Sequence, residues 1–299
     1  MTHDATRAYV DRPVGDLVAA TRAAQIAADR WSLEPPVLLR QGMNAIFACG
    51  DVVLRASCPS VPAGASIELA EHLRHRGISV PVPRRDDVVV DGAISVTAWE
   101  RVEDTGAPMD WVAVGSMVRQ IHSLDAADLP ASVPLPHPSA LPWWDFDELF
   151  VRVGDALDQA AAGGLHSAID RHRGWQEYGH HVVCHGDVHP GNVVAGSGGP
   201  VLLDWDLLCR APAGWDHGPL LTWHERWGGD AATYEAYAAG YGRSFADDPV
   251  AVAFAELRLV AATLMRVLAA VDDPTARPEA ERRLRFWRGE PDAPVWTAQ

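Results

Sequence analysis

Lysine is absent from this 299-residue chain: all 25 basic side chains are arginine, set against 40 acidic ones. Any side-chain cation that holds an anionic ligand must therefore be Arg or His. The chain also lacks a CxxC pair. Its four cysteines, Cys49, Cys58, Cys184 and Cys209, are widely scattered, which speaks against a disulfide framework and reads as reduced thiols of a cytoplasmic protein. No apolar run is long enough for a membrane span; the nearest, Ala251 to Val271, carries Glu256, Arg258 and Arg266 and reads as a soluble helix. The opening MTHDATRAYVDRP holds no apolar signal region. Positive charge is in deficit, with a net charge of −15, so nucleic acid and anionic membranes are poor partners, while the long-range field would draw in a cationic substrate. No internal repeat is visible.

What the chain does have is 48% apolar content over a length that supports two lobes, each with its own core. Its most informative stretch is His185-Gly186-Asp187-Val188-His189-Pro190-Gly191-Asn192, followed by Leu202-Leu203-Asp204-Trp205-Asp206. Apolar runs (Val182-Val183-Cys184, Val193-Val194, Val201-Leu202-Leu203) surround a breaker-rich turn, Ala195 to Pro200, and predict a β-hairpin. Asp187, Asn192 and Asp204 then converge at one end. Carboxylate and amide oxygens in a small volume suit Mg²⁺, which leaves its other positions to water and phosphate.

The spacing HxDxxxxN, with an Asp closing the following apolar strand, is similar to that of protein kinases. In its details, HGDVHPGN and LLDWD, the sequence most resembles the aminoglycoside phosphotransferase and choline kinase branch of that superfamily. The resemblance implies an α+β, two-lobed fold with a small antiparallel-sheet N-lobe and a mainly helical C-lobe. It implies that Asp187 orients a substrate hydroxyl and accepts its proton, that Asn192 and Asp204 hold Mg²⁺ on ATP or GTP, and that His189 stands where kinases place a phosphate-facing lysine. Phosphoryl transfer needs alignment and charge neutralisation more than covalent help, so this small set of groups suffices. His185 belongs to the same loop. Arg210 to His217 resembles the family's segment in which an aspartate supports the catalytic loop through hydrogen bonds, a role that would fall to Asp216. Asp206 would back up the metal or face the substrate.

Residues 14 to 29 predict an N-terminal helix, anchored by Trp31 and Leu33 and ended before Pro35-Pro36. Three strands follow (Val37 to Arg40, Ala45 to Cys49, Val52 to Ala56), separated by turns at Gln41-Gly42-Met43-Asn44 and Gly50-Asp51. By the resemblance they form the sheet over the nucleotide, with Gly42 to Asn44 above the phosphates. Period-two alternation puts Val53 and Arg55 on one face and Val52, Leu54 and Ala56 on the other. Arg55 thus falls at the position of the kinase lysine, and Val53 covers the adenine. In the helix Ala65 to Arg76, Glu68 is the expected partner of Arg55, with Glu71 as rival. Two further strands, Val88 to Val90 and Ile94 to Ala98, lead to Trp99-Glu100-Arg101-Val102. That segment resembles the hinge, whose backbone would bind the adenine edge. Residues 1–102 then make the nucleotide-binding lobe and 103–299 the catalytic and substrate-binding lobe. In the latter, Trp111 to His122, Leu149 to Ala162, Ala168 to Glu177 and stretches near 229–242, 248–271 and 275–288 read as helices, with a break at Gly163-Gly164.

For the acceptor, Trp144 and Asp145 in one segment and Trp223, Glu225 and Trp227 in another combine aromatic faces with carboxylates, which suits a sugar or an amine-bearing ring. The expected activity is transfer of phosphate to a hydroxyl of a small molecule, an aminoglycoside or another antibiotic. A metabolite kinase acting on an amino alcohol or sugar fits the same residues, as does a nucleotide-binding pseudokinase. A zinc hydrolase, with His180, His181, His185, His189 and Asp187 as ligands, is a remote alternative, because it leaves Asn192, Asp204 and Asp206 without roles; His180 and His181 read instead as an exposed helix end.

Overall fold

The computed structural model of the chain describes residues 7–10 and 12–297. Helix α1 (Leu17–Trp31) opens on Asp16, whose side chain accepts from the Ala19 amide at 3.0 Å, and stops at Ser32 in the left-handed region. Its buried alanines recur every three or four residues, and the strip they form, together with Trp31, packs in one core with Phe47, Leu54, Val96 and Ala98 of the sheet. The sheet comprises β1 (Val37–Gln41), β2 (Ala45–Cys49), β3 (Val52–Ser57), β4 (Val89–Asp91) and β5 (Ile94–Glu100), all antiparallel, in the order β1-β2-β3-β5-β4. Because alternate residues of β3 face opposite ways, Val52, Leu54 and Ala56 go under α1, which leaves Val53 and Arg55 on the open face, as the alternation predicts.

Helix α2 (Ala65–His75) does not belong to that core. Its apolar side, with Leu69 and Leu73, joins Val118, Ile121, Val183 and Leu202 in a second core that ties the sheet to the helical lobe. The helical lobe contains α3 (Trp111–His122), α4 (Phe146–Val153), α5 (Gln159–Arg171), α6 (Gly214–Leu221), α7 (Trp223–Trp227), α8 (Ala232–Tyr241), α9 (Pro249–Asp272) and α10 (Arg277–Trp287). Two small antiparallel pairs lie among them. β6 (His181–Cys184) pairs with β9 (Cys209–Pro212), and β7 (Val193–Gly196) with β8 (Gly199–Leu202). No helix among the described residues is long and apolar enough to cross a membrane.

The helix boundaries differ from expectation at Gly163-Gly164, which lie inside α5 instead of breaking it. A Cβ at Gly164 would stand 2.0 Å from the Trp287 carbonyl. The glycine is there to let α5 and α10 approach, a reason that local propensity does not encode. The actual break falls earlier, where Asp158 caps α5 through the amides of Ala160 and Ala161. Likewise His181 starts β6 and does not end a helix.

Candidate active site

β6 delivers the chain to the loop that begins at His185, and Asp216, near the start of α6, holds that loop from beneath. Its fully buried carboxylate accepts from the His185 and Gly186 amides, both at 2.8 Å, and lies 3.0 Å from His122 Nε2. Burial raises a carboxyl pKa, but these donors outweigh it and hold Asp216 below the ordinary value. Gly186 takes φ of +92°, and a Cβ there would meet the Leu207 carbonyl at 2.0 Å, so no other residue fits this turn. His185, buried and pushed down to about 4 by desolvation, is neutral. Its Nδ1 accepts from the Asp187 amide at 3.2 Å and its Nε2 donates to the Leu203 carbonyl at 2.9 Å. It therefore ties the loop to the chain just before Asp204.

Asn192 closes the loop by donating from Nδ2 to the Asp187 carboxylate at 2.9 Å and to the Asp187 carbonyl at 3.0 Å. Its backbone carbonyl accepts from Leu203 at 2.8 Å, which brings the strand end bearing Asp204 alongside. Asp204 sits at φ +59°, uncommon for a non-glycine residue. Its exposed carboxylate opens onto the cleft and, among the described residues, accepts no hydrogen bond. Desolvation first, then Asp206, raise its pKa to about 6 against the pull of Arg55, Arg40 and His189. A carboxylate crowded by a like charge and short of donors, beside an amide whose oxygen is uncommitted, is an all-oxygen set that suits a hard divalent cation. The residues fit Mg²⁺.

The open face of β3 stands over this loop. Arg55 is ion-paired with Asp206 and lies 5.5 Å from the ring centre of Tyr9. Burial opposes its charge, but Asp206, Tyr9 and Asp204 keep its pKa above the ordinary arginine value. This corrects the expected pairing: Glu68 is exposed and accepts from Ser132 at 2.5 Å, and Glu71 is exposed as well. Asp206 takes the partner's place because the turn after Asp204 folds into a short 3-10 segment that buries it beneath the sheet. Asn44, at the β1–β2 turn, donates to the other Asp206 oxygen at 2.7 Å, and the Gly42 amide donates to the Asn44 carbonyl at 2.9 Å.

His189 accepts at Nδ1 from the Gly191 amide at 3.0 Å, which leaves its proton on Nε2, 3.5 Å from Asp187. Desolvation pushes it down to about 4, so it is a neutral donor and not a cation. The hinge also departs from expectation. Trp99 turns its indole N–H to Thr97 at 2.9 Å, and the amides of Glu100 and Arg101 donate to the Val82 and Asp51 carbonyls at 2.8 and 2.9 Å. Those two amides are spent within the sheet lobe, and Val102 is the next residue of the connection that lines the cleft.

Asp187, His189, Asn192, Asp204, Asp206, Arg55 and Asn44 border one cleft of about 1170 Å³ between sheet and helices, large for a single small ligand. Of the residues expected at the acceptor, Trp223 and Trp227 line it, and Trp144 borders it from the core, 4% exposed, with its ring tilted at 46° and 4.3 Å between centroids against Trp215. Asp145 is the N-cap of α4, bonded to the Glu148 amide at 3.0 Å, and Glu225 is exposed; neither borders the cleft. Trp143, from the same aromatic segment as Trp144, also lines the cleft, while sequence reasoning missed Arg258, ion-paired to Asp187 from α9, along with Arg40 and Arg266 on the cleft wall. The signal for Arg258 and Arg266 was present as charges interrupting an otherwise apolar helix. The zinc arrangement does not form, since His185 commits both ring nitrogens and the one group of candidate metal ligands among the described residues is the buried His122, Cys184 and Asp216.

A small antiparallel sheet closing over a helical lobe, with the HGD loop and the DWD turn meeting between them, is the kinase-like architecture of small-molecule phosphotransferases. The phosphotransferase enzyme family matches residues 50–254, more than half of the chain, and the chain belongs to that family. Its fold is similar to that of an aminoglycoside phosphotransferase from Streptomyces rimosus in complex with ADP and streptomycin, at 21% identity over 82% of this chain and 99% of that one, with a TM-score of 0.60. It is also similar to a macrolide 2'-phosphotransferase from Brachybacterium faecium (20% identity, 88% and 97% covered, TM-score 0.55) and to a choline/ethanolamine kinase family protein from Mesorhizobium loti (20%, 93% and 95%, 0.56). No curated protein sequence matches the chain.

Proposed function

We propose that the chain is an ATP- or GTP-dependent, Mg²⁺-assisted O-phosphotransferase that acts on a hydroxyl of a small molecule. The observation that carries this reading is the meeting of Asp187, Asn192 and Asp204 at the floor of one cleft beneath Arg55. The nucleotide complexes named among the similar structures agree with it.

Val53 and Val102 cover the base; Arg55, Gly42, Asn44 and Arg40 face the phosphates. Asn192 and Asp204 would hold Mg²⁺, which when bound neutralises phosphate charge. Asp187 receives the acceptor hydroxyl. As the hydroxyl oxygen bonds to the γ-phosphorus, the bond from that phosphorus to the bridging oxygen breaks, the proton passes to the Asp187 carboxylate, and the nucleoside diphosphate departs. Asn192 Nδ2 fixes one oxygen of Asp187, and the His189 Nε2–H, a neutral donor at this edge, faces the phosphoryl group.

Binding of ATP and GTP with and without Mg²⁺, and release of nucleoside diphosphate across a panel of hydroxylated compounds, tests the reading. The Asp187→Ala protein is expected to fold and bind nucleotide while losing transfer. Nucleotide binding without turnover on any acceptor would instead support a pseudokinase.

A further inference from the structure

The cleft extends past Asp187 along α9, and this is where the acceptor body has to lie. The wall there is formed by three indoles, Trp143, Trp223 and Trp227, and by the inner face of α9 from Arg258 to Arg266. The charges that α9 brings to it, Arg258 and Arg266, are both positive. The carboxylates that border the cleft are Glu100, Asp187, Asp204 and Asp206. Glu100 pairs with Arg84 at the hinge, Asp206 with Arg55, and Asp187 with Arg258, while Asp204 belongs to the metal set. The acidic side chains that could have faced an amine, Asp145 and Glu225, lie elsewhere.

The cations are differently placed. Arg283 is spent on Glu279 and on the carbonyls of Ala262 and Thr297. Arg266, half-buried, makes no hydrogen bond or close ion pair among the described residues; the charges that act on it are Arg283 and, from the end of α9, Asp273, which does not border the cleft. Arg258 is largely desolvated, pulled down to about 10 by burial and so still cationic at neutral pH, with Asp187 its one ionic partner among the described residues. A polycation entering this region would face two guanidinium groups with no uncommitted carboxylate in return, which costs desolvation and repulsion together. An anion would pair with Arg266 through a forked donor set. The overall charge of −15 favours cations at long range, but a cleft discriminates by the groups that line it.

Resting on the phosphotransferase reading of the same cleft, we propose that the hydroxyl acceptor is an acidic compound with an apolar, aromatic body. Its rings lie against Trp143, Trp223 and Trp227, its anionic group binds Arg266, and its hydroxyl reaches Asp187 beside Arg258. Residues 258 and 266 are eight positions apart, roughly 12 Å along a helix, so hydroxyl and anion stand at opposite ends of the molecule.

Three matched probes test this: a rigid hydroxymethyl-biphenyl carrying at its far end a carboxylate, a carboxamide or an aminomethyl group. Affinities are measured by calorimetry on the full chain with Mg²⁺ and a non-hydrolysable nucleotide, and the melting temperature of each variant reports its folding. The carboxylate is expected to bind about tenfold or more tightly than the amine, with the amide between them. Arg266→Glu is expected to reverse the order, and Arg266→Gln to bring carboxylate and amide together. An amine that binds as well as the acid, an order unchanged in Arg266→Glu, or binding by none of the three overturns the proposal. Nucleotide binding by the parent chain is read in the same titrations: if present, such a result strikes the acceptor class alone, and if absent, the phosphotransferase reading fails first.

Discussion

Arg55 of β3 is ion-paired with Asp206, two residues beyond Asp204, and not with either glutamate of α2. Arg55 is thus tethered to the same short turn that carries Asp204, so the sheet and that turn are held in one position relative to each other. Removing one partner leaves the other buried and uncompensated, which costs on the order of 3–5 kcal/mol.

It follows that Arg55→Ala lowers nucleotide affinity by about tenfold or more and also lowers the melting temperature, since hydrogen bonds to charged groups contribute about 1.5–3 kcal/mol each. Glu68→Ala changes neither. Calorimetric titration with nucleotide, paired with thermal melts, separates the two variants. Equal losses in both would make Glu68, and not Asp206, the partner that matters to Arg55.

Replacement of Asp216 by Ala strips the His185 and Gly186 amides of their acceptor. Unsatisfied buried donors cost about 1–3 kcal/mol each, so we expect a destabilisation of about 3 kcal/mol or more by denaturant titration. Turnover of the surviving folded fraction is expected to fall, because the loop that carries Asp187 loses its anchor.

Gly186→Ala places a methyl group against the Leu207 carbonyl at a backbone angle that side chains avoid. The expected cost is about 2–3 kcal/mol. Gly198→Ala, in open space on the β7–β8 turn, is the control and should melt like the parent.

Three desolvated histidines set the acid response. His185 and His189 are each pushed down to about 4 and His217 to about 3, against an ordinary value of 6.5. Unfolding lets each take up a proton near its ordinary value. Their contribution is therefore fully present above about pH 6.5 and is lost as pH falls toward the folded values. Asp216, whose pKa is depressed, acts in the same direction lower still, whereas the raised Asp204 carboxyl acts in the opposite sense below about 6. The histidines outnumber it, so the melting temperature is expected to drop between about pH 7.5 and pH 5. His217→Phe, which keeps the aromatic packing around Tyr237 and Phe245, should flatten that slope, and an unchanged slope would show that His217 is not the source.

Motif spacing, with the family resemblance it carries, made the fold and the floor of the site legible. HGDVHPGN and LLDWD lie close in sequence, and a hairpin of four-residue strands joins them, so Asp187, Asn192 and Asp204 have little freedom to separate. The alternation of β3 settled the direction of Arg55 for the same local reason. Asp145 and Glu225 were misread because an acidic residue before a helix and one on its outer face look in sequence like carboxylates beside an aromatic wall.

By itself, the sequence determined the strands of the sheet, the open face of β3 that carries Val53 and Arg55, and the closeness of Asp187, Asn192 and Asp204, since each depends on residues within a few positions of one another. Tertiary packing alone decided that Asp206 and not Glu68 neutralises Arg55, that Gly164 lies inside a helix to admit α10, and that α9 brings Arg258 and Arg266 to the cleft. Those outcomes depend on how segments distant along the chain come to rest against each other, and no local pattern carries that information.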